Sequence, residues 1–317
     1  MTESASTGHP DRVRIGTRGS QLARWQATWV AGALRRAHPG LLVELVEIKT
    51  QGDRDRNSPL AAIGGAGVFT KEIQRALAAG DVEVAVHSLK DLPTQGPEGL
   101  ALGAVPARED AADALIAPGH RTLDALPPGA RVGTGSLRRR AQLLHLRPDL
   151  DVVSLRGNVE TRLNQALDGR LDAVLLAAAG LRRLGLDRHV TQVLGPPGFL
   201  PAVGQGALGI ECRADDASTR ALLAPLDDPA THRAVLAERT TLAELEGGCL
   251  IPLAAWARET PEGLALDAAV FDPDGRECAA TTASGARDEP EDLGRRVARE
   301  LRRLGAERLL GRVRRPG

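Results

Sequence analysis

The sequence predicts an α/β protein of two similar lobes followed by a small α+β domain. Three observations carry that reading. Short alternating apolar strands pass through glycine turns into helices of 3.6-residue period. The pattern restarts with different residues beyond the turn-rich stretch near Pro106, and after Pro229 it gives way to helix, strand and terminal helix.

In chain order, Val13 and Ile15 alternate as a strand. Ser20 then caps a helix on which Leu22, Trp25, Trp29, Ala33 and Leu34 keep helical spacing up to Pro39-Gly40. Leu42 to Ile48 reads as a second strand, and the loop Gly64-Gly65-Ala66-Gly67 leads to a helix over Thr70 to Ala79. Val82, Val84 and Val86 form a third strand. The second lobe runs from Arg131-Val132 through Gly133-Thr134-Gly135-Ser136 to a helix ending near Leu144. Strand Val152 to Leu155, a helix from Asn158, strand Ala173 to Ala177 and a short helix near Leu181 follow. Alternation of this kind predicts largely parallel sheets. Leu208 to Cys212 is strand material, Arg233 to Leu245 a helix, Leu264 to Phe271 a strand, and a terminal helix starts at Glu291.

The 317 residues suffice for two or three domains, and 42% apolar with 26% charged residues excludes a disordered chain. With three Phe, three Trp and no Tyr, the core must be Leu, Val, Ile and Ala, and a surface that stacks nucleobases is hard to build. Equal basic and acidic counts leave no global field to recruit nucleic acid or a membrane, so any anion site is local. Lys49, Lys71 and Lys90 are the only lysines among 41 basic residues; the rest are arginine, the better bidentate partner for carboxylates. Three widely spaced cysteines suggest a reducing compartment rather than a disulfide framework. The N-terminus lacks an apolar signal region, so a soluble cytoplasmic protein is expected.

Three segments share one construction: a strand end, an arginine and a helix start. They are Thr17-Arg18-Gly19-Ser20, Gly133 to Arg139, and Leu155 to Arg162 with Asn158 as cap. Arg138 and Arg139 in a first helical turn oppose the helix dipole and call for a compensating anion. Alone, that segment reads as a solvated arginine face continuing into Arg140; together, the three suggest a cleft for several carboxylates or phosphates. Asp91, beside Lys90 at the end of the third strand, is suited to stabilising a developing cation, although a surface salt bridge or a turn before Pro93 would also place it there. Gly204-Gln205-Gly206-Ala207-Leu208-Gly209 has the letters of a dinucleotide fingerprint but leads to a strand, so a close-packed glycine turn is the expectation. Cys249 follows two glycines on a predicted loop, Cys212 reads as a buried strand residue, and no Cys/His grouping has metal-ligand spacing.

At these residues the chain resembles the porphobilinogen deaminase, or hydroxymethylbilane synthase, family nearly end to end. The resemblance rests on RIGTRGSQLARWQA from Arg14, VAVHSLKDLP from Val84, REDAADAL from Arg108, VGTGSLRRR from Val132 and SLRGNVETRL from Ser154. LAAAGLRRLGL from Leu176, LPAVGQGALGIECR from Leu200 and LEGGC from Leu245 complete it. It implies two domains like type II periplasmic binding proteins plus a small C-terminal α+β domain. Domain 1 would comprise residues 12–106 with 204–224, domain 2 residues 107–203 and domain 3 residues 228–317.

The implied activity adds four porphobilinogen units head to tail, with loss of ammonia, to a covalent dipyrromethane cofactor, then releases hydroxymethylbilane by hydrolysis. The cofactor would be thioether-linked to Cys249, and Asp91 would stabilise the azafulvene cation left when ammonia departs. Lys90, Thr134, Ser136, Arg138, Arg139, Arg156, Arg162 and Gly180 would contact the cofactor, and Arg18, Ser20, Phe69, Arg156 and Arg183 the substrate. No metal, nucleotide, nucleic acid or membrane is implied, and a monomer is expected. The chain departs from the family at Ala62 and Ala66, where many members have lysine, and at Gly135, where many have serine. A periplasmic-type solute-binding protein for a polycarboxylate is the alternative; an NAD-dependent oxidoreductase fits less well, because the strand-then-helix context fails at Gly204.

Overall fold

The computed structural model describes residues 10–54, 67–246 and 251–314. The first sheet is built from β1 (Arg12–Thr17), β2 (Leu42–Glu47), β3 (Val84–Ser88) and β4 (Leu100–Ala104), with helices α1 (Gln21–Ala37), α2 (Gln51–Arg54) and α3 (Lys71–Ala79) between them. The second uses β5 (Asp113–Ile116), β6 (Arg131–Thr134), β7 (Asp151–Ser154), β8 (Ala173–Ala177) and β9 (Gln192–Leu194), with α4 (Leu137–Leu146), α5 (Val159–Leu167) and α6 (Ala178–Arg183). The chain returns to the first sheet as β10 (Leu208–Arg213), followed by α7 (Ala217–Leu223).

The two sheets share one plan. The orders are β2-β1-β3-β10-β4 and β7-β6-β8-β5-β9. In each, the fourth strand is antiparallel to both neighbours and is laid down just after the chain crosses from the other sheet. The sheets are therefore mixed, where alternation alone predicted largely parallel ones. The reason is topological: the crossing strands enter from the opposite end.

Apolar residues of β1, β3 and β10 pack on α1 and α7 over one face of the first sheet, while Ile73, Leu77, Val82 and Ala85 fill the other. The face of α1 that is buried is Ala23, Gln26, Ala27, Val30, Ala31 and Leu34. Trp25 and Trp29, read into the apolar stripe, are 37% and 38% exposed. Small residues face the sheet because close packing leaves no room for indole there.

The third region has α8 (Pro229–Glu244), then β11 (Leu253–Thr260), β12 (Gly263–Phe271) and β13 (Cys278–Gly285) as an antiparallel sheet, and α9 (Pro290–Arg303) and α10 (Ala306–Arg314). The single terminal helix of the sequence reading is thus two, broken at Gly305 with φ +95°. Helices α8, α9 and α10 cover one sheet face. Phe271, Ala254 and Ala269 on that sheet pack against Ala141 of α4, and Gly275 lies against the α4 backbone.

Glu238 on α8 ties this region to both crossings. It is fully buried and accepts from Arg108 Nη1 at 2.6 Å on the first crossing, from Gly204 N at 2.7 Å on the second, and from Ala257 N at 2.8 Å on β11. The crossings themselves meet at Gly206, whose φ is +88° and whose added Cβ would strike the Glu109 carbonyl and sit 3.0 Å from that of Asp110. The glycine pattern at 204–209 is thus the expected close-packed turn, and it runs into strand β10.

Both the left-handed backbone and the carbonyl contact forbid a side chain at Gly206. Gly206→Ala is expected to cost about 2 kcal/mol or more, because neither neighbour is a flexible side chain. Urea unfolding of the two proteins checks this, and an unchanged midpoint would show that the crossings separate freely.

Candidate active site

Strand β6 ends in Gly133-Thr134-Gly135 and delivers Ser136 as the N-cap of α4, its Oγ accepting from Arg139 N at 3.4 Å. The first turn of α4 carries Arg138 and Arg139 and no acid. The anion that two such cations require is Asp113, at the start of β5 and fully buried. Arg138 Nη1 donates to Asp113 Oδ2 at 2.7 Å, and Arg139 Nε donates to Oδ1 at 2.9 Å. Burial would raise the Asp113 pKa; the charges of Arg138 and then Arg139 outweigh it and hold it at about 2.

Arg138 Nη1 also donates to the Leu200 carbonyl at 2.6 Å, and the residue is 3% exposed. Arg138 thus spends Nη1 on Asp113 and Leu200, while its Nε is buried without a hydrogen-bond partner. Arg139 Nη2 reaches Gln205 Oε1 at 3.3 Å, and Lys90 Nζ donates to the same oxygen at 3.3 Å. Gln205 Nε2 donates to the Ala111 carbonyl at 2.7 Å and to Asp113 Oδ1 at 2.8 Å. One buried amide from the second crossing therefore joins Asp113, Arg139 and Lys90.

Lys90 and Asp91 lie in a single 3₁₀ turn, Leu89–Asp91, directly after β3. Leu89 N donates to the Ala207 carbonyl at 3.0 Å, which pins the turn to the start of β10. Burial first, then the charge of Arg139, lowers the Lys90 pKa to about 8 against the opposing pull of Asp91 and Asp113. Arg162 on α5 feels the same field: burial, then Arg139, lowers its pKa to about 10, with Asp91 opposing and Arg156 adding to the effect. Asp91, Lys90, Arg139, Arg156 and Arg162 thus share one site with more cations than anions. Arg156 Nη1 is buried in it without a hydrogen-bond partner, a donor suited to an incoming carboxylate.

The remaining expected residues line the approach or support it. The Arg18 guanidinium stacks 4.1 Å from the Phe69 ring centroid. Arg183 Nη2 donates to the Gly206 carbonyl at 2.7 Å, its pKa lowered by burial, and its guanidinium lies 5.8 Å from the Trp25 ring. Ser20 spends its Oγ capping α1, accepting from Ala23 N at 3.3 Å. Thr134 Oγ1 accepts from Ser136 N at 3.3 Å. Gly180 is buried on α6, where a Cβ would find Leu22 Cδ2 of α1 at an ordinary 3.7 Å. Cys249, Ala62 and Ala66 lie outside the described residues. Among the described residues there is no cluster of metal-ligating side chains, and no helix long and apolar enough to cross a membrane. Cys212 is buried, as expected, and its thiol is pushed up to about 11, first by burial.

Sequence reasoning missed Asp113 and Gln205. The demand for an anion opposite Arg138 and Arg139 was the available signal, and Asp113 sits inside the REDAADAL segment.

Two family models match the chain: "Porphobilinogen deaminase, dipyromethane cofactor binding domain" over residues 13–221 and "Porphobilinogen deaminase, C-terminal domain" over residues 232–303. A porphobilinogen deaminase of Geobacter metallireducens is 50% identical over 304 residues, covering 96% of this chain and 95% of that one. Those of Syntrophotalea carbinolica and Syntrophobacter fumaroxidans are 50% and 49% identical, covering 94% and 96% of this chain and 95% and 98% of their own. Among solved structures, a nutrient-binding protein of Burkholderia cenocepacia bound to methionine is similar at TM-score 0.44 and 13% identity, covering 73% of this chain and 95% of its own. A periplasmic substrate-binding protein of an ABC transporter from Coxiella burnetii gives 0.43 and 18%, with 73% and 96% covered.

The field at Lys90 has a measurable consequence. Its ammonium is held below its ordinary 10.5, so between about pH 8 and 10.5 the unfolded chain binds the extra proton, and this group makes the ligand-free protein more stable as pH rises through that window. With only three lysines, NMR of the labelled ε-amines resolves it. Lys90 is expected to titrate near 8 without ligand and higher once a polycarboxylate is bound; a ligand-free midpoint near 10.5 would contradict the site described.

Proposed function

This chain belongs to the porphobilinogen deaminase family, and we propose that Asp91 is the carboxylate on which its reaction turns. The reaction it catalyses is a transfer: four porphobilinogen molecules are condensed head to tail, each losing ammonia, and hydroxymethylbilane is released by hydrolysis. Its cofactor is dipyrromethane, which when bound supplies the free pyrrole α-carbon that takes up each new unit. The solute-binding alternative is set aside by the family.

The observation that carries the residue-level reading is the cation excess around Asp91. Porphobilinogen carries an acetate and a propionate, so substrate and cofactor are both dense in carboxylates. Arg156 with its unpartnered Nη1, Arg162, and Lys90 with its depressed pKa fit that chemistry. Arg139 contributes charge while it remains bonded to Asp113. Arg18, stacked on Phe69, and Arg183, held by the Gly206 carbonyl, would take carboxylates of incoming substrate.

When ammonia leaves with the electron pair of its C–N bond, positive charge spreads over the ring of the substrate and onto its N–H. Asp91, accepting that N–H, would lie where the charge develops and oppose it with a carboxylate. Cys249 would form the thioether; α8, which ends five residues before it, fixes where that loop starts.

The division into residues 12–106 with 204–224, 107–203 and 228–317 is supported by β10 lying between β3 and β4 of the first sheet. A cytoplasmic setting agrees with three widely spaced cysteines, and a monomer remains the expected state.

Asp91→Ala is expected to reduce turnover by about two to three decades while the thermal midpoint holds; a variant keeping more than about a tenth of the activity would remove Asp91 from this role. Cys249→Ser is expected to carry no cofactor, because a hydroxyl is a far poorer nucleophile than a thiolate. Intact mass and Ehrlich's reagent read this, and cofactor still attached would place the linkage elsewhere.

A further inference from the structure

The turn that carries Asp91 is held from two sides. On its N-terminal side, Leu89 N donates to the Ala207 carbonyl at 3.0 Å. On its C-terminal side the chain runs through Leu92-Pro93-Thr94, where proline has no N–H to donate. Arg239 of α8 meets the carbonyls there: its Nη1 donates to that of Leu92 at 3.2 Å, and its Nη2 to those of Pro93 at 2.7 Å and Thr94 at 3.5 Å.

A second contact comes from the same helix face. Val235, one turn before Arg239, is fully buried against Leu89 and Leu92, the residues that flank the Lys90-Asp91 pair. Between them in sequence, Glu238 fastens α8 to Arg108, Gly204 N and Ala257 N. The fork of Arg239 therefore reaches the turn from a helix that is itself fixed at three points. A guanidinium spanning consecutive carbonyls sets the direction of the backbone leaving Asp91, which a single donor could not do.

We propose that Arg239 is a positioning residue for the reaction: it fixes the placement of the Asp91 carboxylate from the third region of the chain. This rests on the reading of Asp91 given above. The hydrogen bonds of Arg239 described above all go to backbone carbonyls of the turn rather than to the arginines assigned to substrate carboxylates, so its loss should loosen Asp91 without weakening substrate binding. A displacement of about 1 Å at a reacting group costs up to a hundredfold in rate.

The test uses the full chain, loaded with cofactor as verified by intact mass, as Arg239→Gln and Arg239→Lys beside Asp91→Ala. Arg239→Gln is expected to lower kcat about ten- to a hundredfold with KM for porphobilinogen changed by less than about twofold. Arg239→Lys, which keeps the charge but replaces the planar fork with a single donor nitrogen, should fall between it and the parent. Independently of turnover, the Lys90 ε-amine resonance of ligand-free Arg239→Gln should shift, because Lys90 shares the turn. If Arg239→Gln keeps its kcat while Asp91→Ala is inactive, the positioning role is overturned and Asp91 stands. If kcat falls only in proportion to lost folded or loaded protein, or if KM rises as much as kcat falls, the role is likewise overturned. An active Asp91→Ala removes both readings.

Discussion

A carboxylate with no exposure to solvent, gripped by two guanidiniums, is the fixed point of this molecule. Asp113 stands at the start of the strand by which the chain first enters the second sheet, and Arg138 and Arg139 stand in the first turn of the helix beside it. Desolvating those charges is costly, and once they are inside, losing one partner commonly costs about 3 to 5 kcal/mol. That is a large share of the roughly 5 to 15 kcal/mol by which a protein is stable. The strand, the helix and the Gln205 amide that bonds Asp113 are thus held in one geometry. Gln205 also accepts from Lys90, so the constraint passes from the second sheet to the turn that carries Asp91.

The balance of charge explains why this constraint serves chemistry as well as folding. One buried anion shared by two arginines leaves the cleft positive, because Lys90, Arg156 and Arg162 add further cations, opposed by Asp91 and, at Lys90, by Asp113 as well. The crowding of like charge is visible in a depressed Lys90 and in an Arg156 donor without a hydrogen-bond partner, and a bound polyanion would relieve it. Arginine suits these positions, since it stays protonated where burial already weakens the lysine.

Much of this was legible in the sequence because it is local. Ser20 and Asn158 cap helices as read, and Ser136 does the same, each oxygen accepting from the backbone three residues on. The glycine turns after β1 and β6 carry the expected arginines. What the sequence hid depends on distant partners. The strands β4, β5 and β9 are three to five residues long and lie in the crossings, with too few residues to show alternation. Trp25 and Trp29 have helical spacing, yet packing density gave the inner face of α1 to alanine and valine. The anion that compensates Arg138 is Asp113, 25 residues away in sequence. No periodicity encodes such a pair; only the dipole argument asked for it.

The third region supports the site from outside both sheets, and α8 is its means. Nearby positions on this helix meet different parts of the molecule: Val235 the apolar side of the turn that carries Asp91, Glu238 both crossings, Arg239 the carbonyls beyond Asp91. A helix is stiff along its axis, so these contacts share one frame, and the same frame delivers the chain to Gly247-Gly248-Cys249. Phe271 and Gly275, packed on α4, bring the arginine-bearing helix of the second sheet into that frame too. Carboxylate, arginines and the start of the cysteine loop are therefore referenced to one small domain.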